Sequence, residues 1–457
     1  MKIYSKQTEI LSDTITPISV FLNLRDVYKS VSLFESSDYH SKENSKSFIC
    51  CNPIVSLKVN GSKMKTIISD KVTGISDFMN VTDLQESINM FEFDNLNLHK
   101  HNGFFGYFSF ESMQYFDTIK VKEKSNYKDV SDILLSVFEY IIVFDNFSNK
   151  AQIISNSFSD KAIDFSSIIN EMIKHNLFSS QFKIIGQESV SNTEKEFLKN
   201  VEAAKQNVKQ GEVFQLVISR CFSQQFSGDD FQVYRELRAL NPSPYMFYFD
   251  MDNSKVFGTS PETQIKITNS IAEIHPIAGT VKRTHDLDVD LAKTKELQAN
   301  PKENAEHVML VDLARNDLNK TCEKVEVVDY KKIQNFSHVI HMVSKVIGTV
   351  KNRESLHTFS QSFPAGTLSG APKYRAMELI QQYESNNRGF YGGAIGQISP
   401  NGDVNMAIII RSCFSQNNKL SYQAGAGIVL DSIPINELEE VDNKIKAVKN
   451  AIKMASK

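Results

Sequence analysis

The sequence predicts an α+β fold, with two large, mainly antiparallel β-sheets packed in a sandwich and helices on the outside. The chain has 457 residues, 41% of them hydrophobic, which is enough for one large core or two ordinary ones. Its first 185 residues carry short alternating segments separated by polar breaks, as strands do. From residue 190 onward, strand-like runs alternate with strongly patterned helices.

Each element follows from a local pattern. In the first region, Phe104–Phe108 and 141–144 are typical strands. In the second, Ser191 and Glu194 form a possible capping box for a helix whose apolar residues recur at helical spacing up to Gly211. The remaining predicted elements of this region are a strand at 213–219 and helices at 301–313, 372–383 and 434–451.

Composition excludes several classes of protein. The formal net charge is −3 and the basic residues are scattered, so no stripe suits a nucleic-acid backbone. No segment approaches the roughly 18 apolar residues of a membrane helix, and the N-terminus has no apolar signal core. The five cysteines show no disulfide or zinc spacing. We therefore expect a cytoplasmic protein without nucleic-acid or membrane partners.

Two pairs of glutamates stand at helical spacing. The Asn-Pro pair at 300–301 predicts a helix start, which places Glu303 and Glu306 on one face, and Glu437 and Glu440 repeat this spacing. If the four converged, each like-charged pair ~5 Å apart would repel by about 3 kcal/mol at an effective dielectric of 20, so a cation would be needed. Oxygen ligands without His or Cys favour Mg²⁺ over zinc.

The spacing does not show that these two helices meet. On an isolated helix, the simpler interpretation is that Glu303 caps the helix and Glu306 is solvated. Both interpretations remain open at this point.

Two glycine-rich segments and one arginine offer contacts for an anion. The loop 363–373 leads into a helix start, and the segment 422–427 allows close backbone approach. Neither has the spacing of a known phosphate motif, so tight turns are the simpler explanation. Arg411 follows the apolar run 406–410, where it could bind a carboxylate or form a structural salt bridge.

In this order, the segments resemble the chorismate-utilising enzymes. The resemblance spans slightly more than half of the chain and is carried by the segments 241–246, 259–262, 276–280, 303–312, 315–317, 363–376, 388–396 and 423–429. The resemblance implies a chorismate-binding catalytic region at 190–457. It also implies that this region is interleaved with the N-terminal region, 1–185, as one unit.

The resemblance also implies the site. Glu306 and Glu440 would hold Mg²⁺, with Glu303 and Glu437 beside it, and the metal would bind the ring carboxylate of chorismate. The residues implied to contact the rest of chorismate are Tyr391, Arg411 and Gly427 at the enolpyruvyl carboxylate, Thr280, Thr367 and His341 at the ring, and the closely approaching backbone of Gly279 and Gly425.

Two positions distinguish members of this family. Relatives that make aminodeoxychorismate resemble one another in a nucleophilic lysine where this chain has Ala278, and those that add water have a lysine base where it has Gln215. The methyl group of Ala278 cannot form a covalent amine adduct, and the uncharged amide of Gln215 cannot activate water. An external amine is therefore left as the nucleophile. The expected activity is that of an anthranilate synthase large subunit, a Mg²⁺-dependent lyase that uses ammonia.

Four residues are expected to take part in the chemistry, namely Glu262, His341, Thr367 and Gln215. Glu262 would transfer a proton near the ring, and His341 would assist at the ring hydroxyl or in elimination. The alternatives are that Glu262 is a buried acid satisfied by backbone donors and that His341 is a core residue.

The chain is expected to need a partner and to respond to its end product. No cysteine has a glycine neighbour, as an amidotransferase nucleophile would, so a separate glutamine amidotransferase subunit would supply ammonia. The segment 33–36 resembles a Leu-Leu-Glu-Ser element, with Phe34 in place of the second Leu. The implied tryptophan feedback site consists of Glu35, Ser36, Pro244, Tyr245 and Met246. A plain core strand is the alternative.

Two other functions fit parts of the pattern. One is aminodeoxychorismate synthase, opposed chiefly by Ala278. The other is a tryptophan-binding regulatory protein that has lost catalysis, which predicts damage among Glu306, Glu440, Arg411 or His341, and all four are intact.

Overall fold

A computed structural model describes residues 1–37, 45–123, 127, 129–174, 180–284, 286–335, 339–351 and 354–457, except for the side chains of Thr280, Lys282, Asn335 and Val339. The strands are β1 (Lys2–Leu11), β2 (Ser32–Glu35), β3 (Lys46–Asn60), β4 (Lys63–Ile68), β5 (Lys71–Asp77), β6 (Glu92–Phe93), β7 (Phe104–Phe108), β8 (Ile133–Asp145), β9 (Lys150–Ser157), β10 (Phe182–Val190), β11 (Gln215–Gly228), β12 (Tyr245–Asp250), β13 (Ser254–Ser260), β14 (Thr263–Thr268), β15 (Ile271–Ile274), β16 (Ile277–Lys282), β17 (Cys322–Asn335), β18 (Val339–Val350), β19 (Gly370–Ala371), β20 (Ala394–Ile398), β21 (Val404–Ile408), β22 (Ser412–Gln416) and β23 (Lys419–Ile428).

The α-helices are α1 (Pro17–Arg25), α2 (Val81–Asn89), α3 (Ser166–Met172), α4 (Glu194–Lys209), α5 (Phe231–Leu240), α6 (Leu287–Ala299), α7 (Pro301–Asn319), α8 (Ser355–Ser362), α9 (Lys373–Tyr383) and α10 (Pro434–Ala455). Two 3₁₀ helices are η1 (Leu96–His101) and η2 (Phe110–Tyr115). In the described part of the chain, no helix is long and apolar enough to cross a membrane.

Two sheets share the long antiparallel pair β3–β8. One half of β3 also pairs with β2 and the other half with β4, while β8 pairs with β9 in one half and with β7 in the other. The register of β3 on β8 shifts between Pro53 and Val55, next to Asn52, which has a φ of +58°. A bulge of this kind bends a strand, so both strands pass from one sheet to the other here.

Each sheet contains strands from both regions of the chain, and the two sets meet at β2–β12 in the first sheet and at β7–β20 in the second. The first sheet runs β1-β9-β8-β3-β2-β12-β13-β22-β23-β11-β10. The second runs β5-β4-β3-β8-β7-β20-β21-β14-β15-β18-β17, with β16 also paired to β18. All of these pairs are antiparallel, whereas β6 pairs with β1 in parallel.

The two sheets face each other through aromatic side chains. Phe34 on β2 lies 5.7 Å from Phe105 on β7, and Phe249 on β12 lies 6.1 Å from Tyr107 on β7, between ring centroids. These contacts connect the first sheet to the second. The predicted α+β fold with an antiparallel sandwich is confirmed.

Helices cover the sheets. On the first sheet, α4 packs on β11, and α10 packs on β23 and on α5, while α7 packs on β16, β17 and β18 of the second sheet. The three long helices predicted at 301–313, 372–383 and 434–451 are present as α7, α9 and α10, of which α7 and α10 extend further.

The predicted capping box at Ser191 is wrong by two residues. The box that begins α4 joins Thr193 and Glu196, through Glu196 N donating to Thr193 Oγ1 (3.2 Å) and Thr193 N donating to Glu196 Oε2 (2.7 Å). Ser191 N instead donates to Cys221 O (2.8 Å) and continues the β10–β11 pairing. Both positions fit the capping pattern, and the sheet decides between them.

Candidate active site

The glutamates of α7 are placed by a capped helix start. Asn300 Oδ1 accepts hydrogen bonds from Lys302 N (3.0 Å) and Glu303 N (3.3 Å), with a proline in the first turn, as the sequence predicts. Glu303 and Glu306 therefore occupy the first turns of α7. On α10, Glu437 is buried and Glu440 is exposed.

The two helices bring their acids within electrostatic reach of one another. Burial raises the pKa of Glu303, and the neighbouring charges of Glu306 and Glu440 raise it further. Burial and Glu440 likewise raise the pKa of Glu437. The charge of Glu440 on α10 thus acts on Glu303 on α7, which is the electrostatic relationship that the two helices would need to share a cation.

The carboxylates of these acids do not form a compact group of metal ligands among the described residues. Among the described residues, no three His, Cys, Asp or Glu side chains form a group that could hold a metal ion. Lys444 Nζ is bonded to Glu440 Oε1 (2.7 Å) and to Gly425 O (3.0 Å). The donor set still fits Mg²⁺, because like charges that raise the pKa of Glu303 and Glu437 are stabilised by a hard divalent cation.

Gln215, at the start of β11, lies beside these acids. Its Nε2 donates to Glu306 Oε1 (3.3 Å), and its buried Oε1 has no hydrogen-bond partner among the described residues. A Cβ on Gly427 would lie 2.2 Å from Gln215 Nε2. Glycine at 427 is therefore required for the amide to reach Glu306.

Glu262 and Thr367 are hydrogen-bonded. Thr367 Oγ1 donates to Glu262 Oε1 (2.9 Å) across the gap between the β13–β14 connection and the loop before β19. Burial raises the pKa of Glu262, an effect opposed by this hydrogen bond and by the charges of Lys444 and Arg411. A raised pKa brings a carboxyl group closer to the range in which a general acid works.

Arg411 lies between β21 and β22 with a φ of +50°, a left-handed conformation that is costly for a residue with a side chain. Its Nη1 donates to Asn241 Oδ1 (3.3 Å). Burial lowers the pKa of Arg411, which the nearby charge of Glu262 opposes. A largely desolvated guanidinium is suited to bind a carboxylate.

His341 on β18 contacts the segment that contains Gly279. His341 Nδ1 lies 3.3 Å from Gly279 O, and burial lowers the pKa of the imidazole. Gly279 has a φ of +75°, and a Cβ there would lie 2.6 Å from Leu297 and 3.2 Å from Glu303 Oε2. Thr280 is paired with His341 in the β16–β18 register, but its side chain lies outside the described residues.

Tyr391 is buried and meets the β23 backbone. A Cβ on Gly425 would lie 2.9 Å from the Tyr391 hydroxyl, which the Gly425 backbone hydrogen-bonds. Gly425 and Gly427 lie on β23 opposite Ser219 and Val217 of β11. Tyr391, Gly425, Gly427 and Gln215 therefore occupy one side of the β11–β23 pair.

Sequence reasoning missed Arg388, the largest fully buried side chain. Its Nη1 donates to Leu368 O (2.6 Å), its Nη2 to Val217 O (2.9 Å), and its Nε and Nη2 to the Glu384 carboxylate (2.8 and 2.7 Å). It joins the segments that contain Thr367, Gln215 and Tyr391. The pattern marked 388–396 without giving Arg388 a role, because burial of an arginine is not visible in a sequence.

The two segments of the predicted tryptophan site lie side by side. Glu35 pairs with Met246 in the β2–β12 register. The Glu35 carboxylate accepts hydrogen bonds from Tyr234 Oη (2.8 Å) and Arg238 (2.8 and 2.9 Å). Ser36 follows β2 directly, and Pro244 and Tyr245 precede Met246.

The fold and this set of residues agree with a family match. A family model described as chorismate binding enzyme matches residues 33–450. The chain belongs to this family, and it is a chorismate-utilising enzyme.

The individual proteins to which this chain is similar have more specific names than the family does. Anthranilate synthase component 1 from Aquifex aeolicus is 34% identical over 466 residues, 98% of this chain and 94% of that protein. The crystal structure of anthranilate synthase component I from Streptococcus pneumoniae TIGR4 has a TM-score of 0.76 at 29% identity, covering 96% of this chain and 98% of that one. The isochorismate synthase MenF from Escherichia coli has a TM-score of 0.77 at 17% identity, over 98% and 94% of the two chains, and shares the fold.

Proposed function

We propose that this chain is the large subunit of an anthranilate synthase, which converts chorismate and ammonia to anthranilate and pyruvate in the first step of tryptophan biosynthesis. One observation carries the proposal. Gln215 lies beside the acids of α7 and is an uncharged amide where some relatives resemble one another in having a lysine base. Ala278 stands where other relatives have a nucleophilic lysine. Without either lysine, the chain can neither form a covalent amine adduct nor activate water in that way, which leaves an external amine as the nucleophile.

The proposed function includes a set of binding contacts. Tyr391, Arg411 and the Gly427 amide would take the enolpyruvyl carboxylate. Glu306 and Glu440, with Glu303 and Glu437, would hold Mg²⁺, which when bound neutralises the ring carboxylate and the acids. Gln215 would present its unpartnered Oε1 to a donor, and ammonia is such a donor.

The proton transfers fall to Glu262 and His341. Ammonia forms a bond to C2 of the ring, the ring double bonds shift, and the C4–O bond breaks, and the added nitrogen then loses one proton to solvent to become an amine. Protonated Glu262, hydrogen-bonded to Thr367, would give the proton with which the 4-hydroxyl leaves as water. The C3–O bond then breaks as C2 loses its proton, which neutral His341 would accept, and the departing enolpyruvate gains a proton at its methylene carbon to become pyruvate.

Ammonia would come from a glutamine amidotransferase subunit. Cys50, Cys51, Cys322 and Cys413 are buried, and burial raises the pKa of the half-buried Cys221 to about 12. None of the five therefore offers the thiolate that glutamine hydrolysis requires. Glutamine-dependent activity of the purified chain alone would contradict this part of the proposal.

The test is the fluorescence of anthranilate formed from chorismate, Mg²⁺ and ammonium salt at alkaline pH. We expect product that disappears when EDTA or tryptophan is added. Consumption of chorismate without anthranilate would favour an aminodeoxychorismate or isochorismate activity. Absence of consumption would favour a tryptophan-binding regulatory protein.

Tryptophan binding can be measured directly, because the chain contains no tryptophan. The fluorescence anisotropy of added L-tryptophan, excited where tyrosine does not absorb, then reports only the ligand. We expect Met246→Ala to weaken binding. Met251→Ala, just past the end of β12, is the matched control and should bind normally, and equal affinity in both variants would argue against the site.

A further inference from the structure

One acid of the N-terminal region is bonded to the loop that contains Tyr391. Glu111 lies in η2 and is 1% exposed. Its Oε1 accepts a hydrogen bond from Arg388 N (2.8 Å) and its Oε2 from Gly389 N (2.9 Å). Phe110 N donates to Gly389 O (2.7 Å). Residues of η2 therefore bind two backbone N–H groups and one backbone carbonyl of this turn.

The turn requires such support because it is tightly constrained. Gly389 has a φ of +61°, and a Cβ there would lie 2.5 Å from the Tyr127 ring. The turn closes through Tyr391 N, which donates to Arg388 O (3.3 Å). A carboxylate that accepts two backbone N–H groups fixes their directions, and charge-assisted bonds of this kind are among the stronger ones in proteins.

The same turn orients the Arg388 side chain. The guanidinium lies over the rings of Phe110 and Tyr391, 4.6 and 5.4 Å from their centroids. Glu384 pairs with the guanidinium, and Glu111 accepts from the two backbone amides. Tyr391 is thus held by the turn on one side and by the Arg388 guanidinium on the other.

We infer that Glu111 is a positioning residue, contributed by the N-terminal region, that sets the orientation of Tyr391 toward the substrate carboxylate. This inference rests on the proposed role of Tyr391. Glu111 itself does not contact substrate. Its loss would let the turn relax and move the Tyr391 hydroxyl, which weakens chorismate binding more than it slows the chemistry at the ring.

The test compares Glu111→Gln with Asp132→Asn in the ammonium-dependent reaction. The amide keeps the shape of Glu111 but can accept from only one of the two N–H groups. We expect KM for chorismate to rise about tenfold, as for loss of one hydrogen bond to a charged group, while kcat changes less than about twofold. Asp132 is equally buried, and its carboxylate accepts from Tyr115 Oη (2.6 Å) and Ser109 Oγ (3.4 Å) at the two ends of η2. Its variant loosens η2 but keeps the two bonds of Glu111 to the turn, so it should lose stability with a smaller rise in KM than Glu111→Gln.

Two further variants complete the design. Glu111→Asp keeps the charge and serves if the glutamine variant does not fold, with an intermediate KM expected. Combining Glu111→Gln with Tyr391→Phe should raise KM no further than Tyr391→Phe alone, since both act on one contact. A wild-type KM in a folded Glu111 variant, or equal KM increases in the Glu111 and Asp132 variants, would overturn the inference.

The assay follows the disappearance of chorismate, so KM is defined whichever product forms. If the wild-type chain consumes chorismate without making anthranilate, the proposed function fails while the KM ratio still tests Glu111. If anthranilate forms and the KM ratio is unchanged, the positioning role fails and the proposed function stands.

Discussion

Arg411 Nη1 donates a hydrogen bond to Asn241 Oδ1 at 3.3 Å. Asn241 begins the segment 241–246, whose last three residues are the predicted tryptophan contacts. The Asn241 amide also donates to Thr259 Oγ1 (3.0 Å), which fixes its orientation. The arginine proposed to bind the substrate carboxylate and the segment proposed to bind the inhibitor therefore share one side chain.

Replacing this side chain should affect both sites. We expect Asn241→Ala to raise KM for chorismate by about three- to tenfold, because one hydrogen bond to a charged group is lost. Inhibition by tryptophan should weaken in the same variant. Initial rates at several tryptophan concentrations measure both, with Asn253→Ala in the exposed β12–β13 turn as control. A variant that changes KM with normal inhibition would show that the shared side chain does not couple the sites.

Gly427→Ala should reduce activity at least about tenfold with a modest loss of stability. The new methyl would lie 2.2 Å from Gln215 Nε2 and displace the amide from Glu306. The control is Gly74→Ala on the exposed strand β5, where a methyl meets only Thr66 Cβ at 3.9 Å. Ammonium-dependent rates and thermal unfolding of the two variants make the comparison. Full activity of Gly427→Ala would show that the reaction does not require the Gln215 amide at this position beside Glu306.

His341→Met should leave the fold intact and abolish turnover. Burial lowers the folded-state pKa of this imidazole, so it is neutral at pH 7. Stability from the neutral form is fully present above the unfolded pKa of ~6.5 and is lost as the pH falls through the lowered folded value. We therefore expect the wild type to lose more unfolding free energy than the methionine variant between pH 7 and pH 5, measured by urea titration. Normal turnover in the variant would contradict the assignment.

Mg²⁺ should stabilise the chain against unfolding. A metal at a hundredfold excess over its Kd adds about 2.7 kcal/mol. We expect Glu306→Gln to lose most of this gain, whereas Glu439→Gln, an exposed neighbour of Glu440, should keep it. Thermal unfolding with Mg²⁺ or EDTA gives the comparison. Equal stabilisation of both variants would place the metal elsewhere.

The structural features that the sequence predicts best are those that depend on residues close together in the chain. The helix start at Asn300 and the acids three residues apart are examples, because N-capping and helical periodicity depend on near neighbours. The sandwich also follows from alternating strands. The prediction of a capping box at Ser191 is wrong because the Ser191 backbone pairs with Cys221, 30 residues later in the chain.

Long-range contacts explain what was missed. Nothing near Arg388 in sequence reveals that Leu368, Val217 and Glu384 surround its guanidinium, or that Glu111 binds its backbone. The hydrogen bond of Asn241 to Arg411 joins residues that are far apart in the chain. Such pairs depend on tertiary structure, so motif spacing marks their segments without giving their roles.

The presence of strands from both regions in each sheet has a consequence for synthesis on the ribosome. Strand β7 pairs with β20, and the register joins Phe108 to Ala394, roughly 290 residues later. At ~5–20 residues per second, about 15–60 s pass before β20 emerges, and meanwhile one edge of β7 has no native partner. An exposed apolar strand edge is prone to mispairing. The nascent chain is therefore expected to depend on chaperones until its last third has been made.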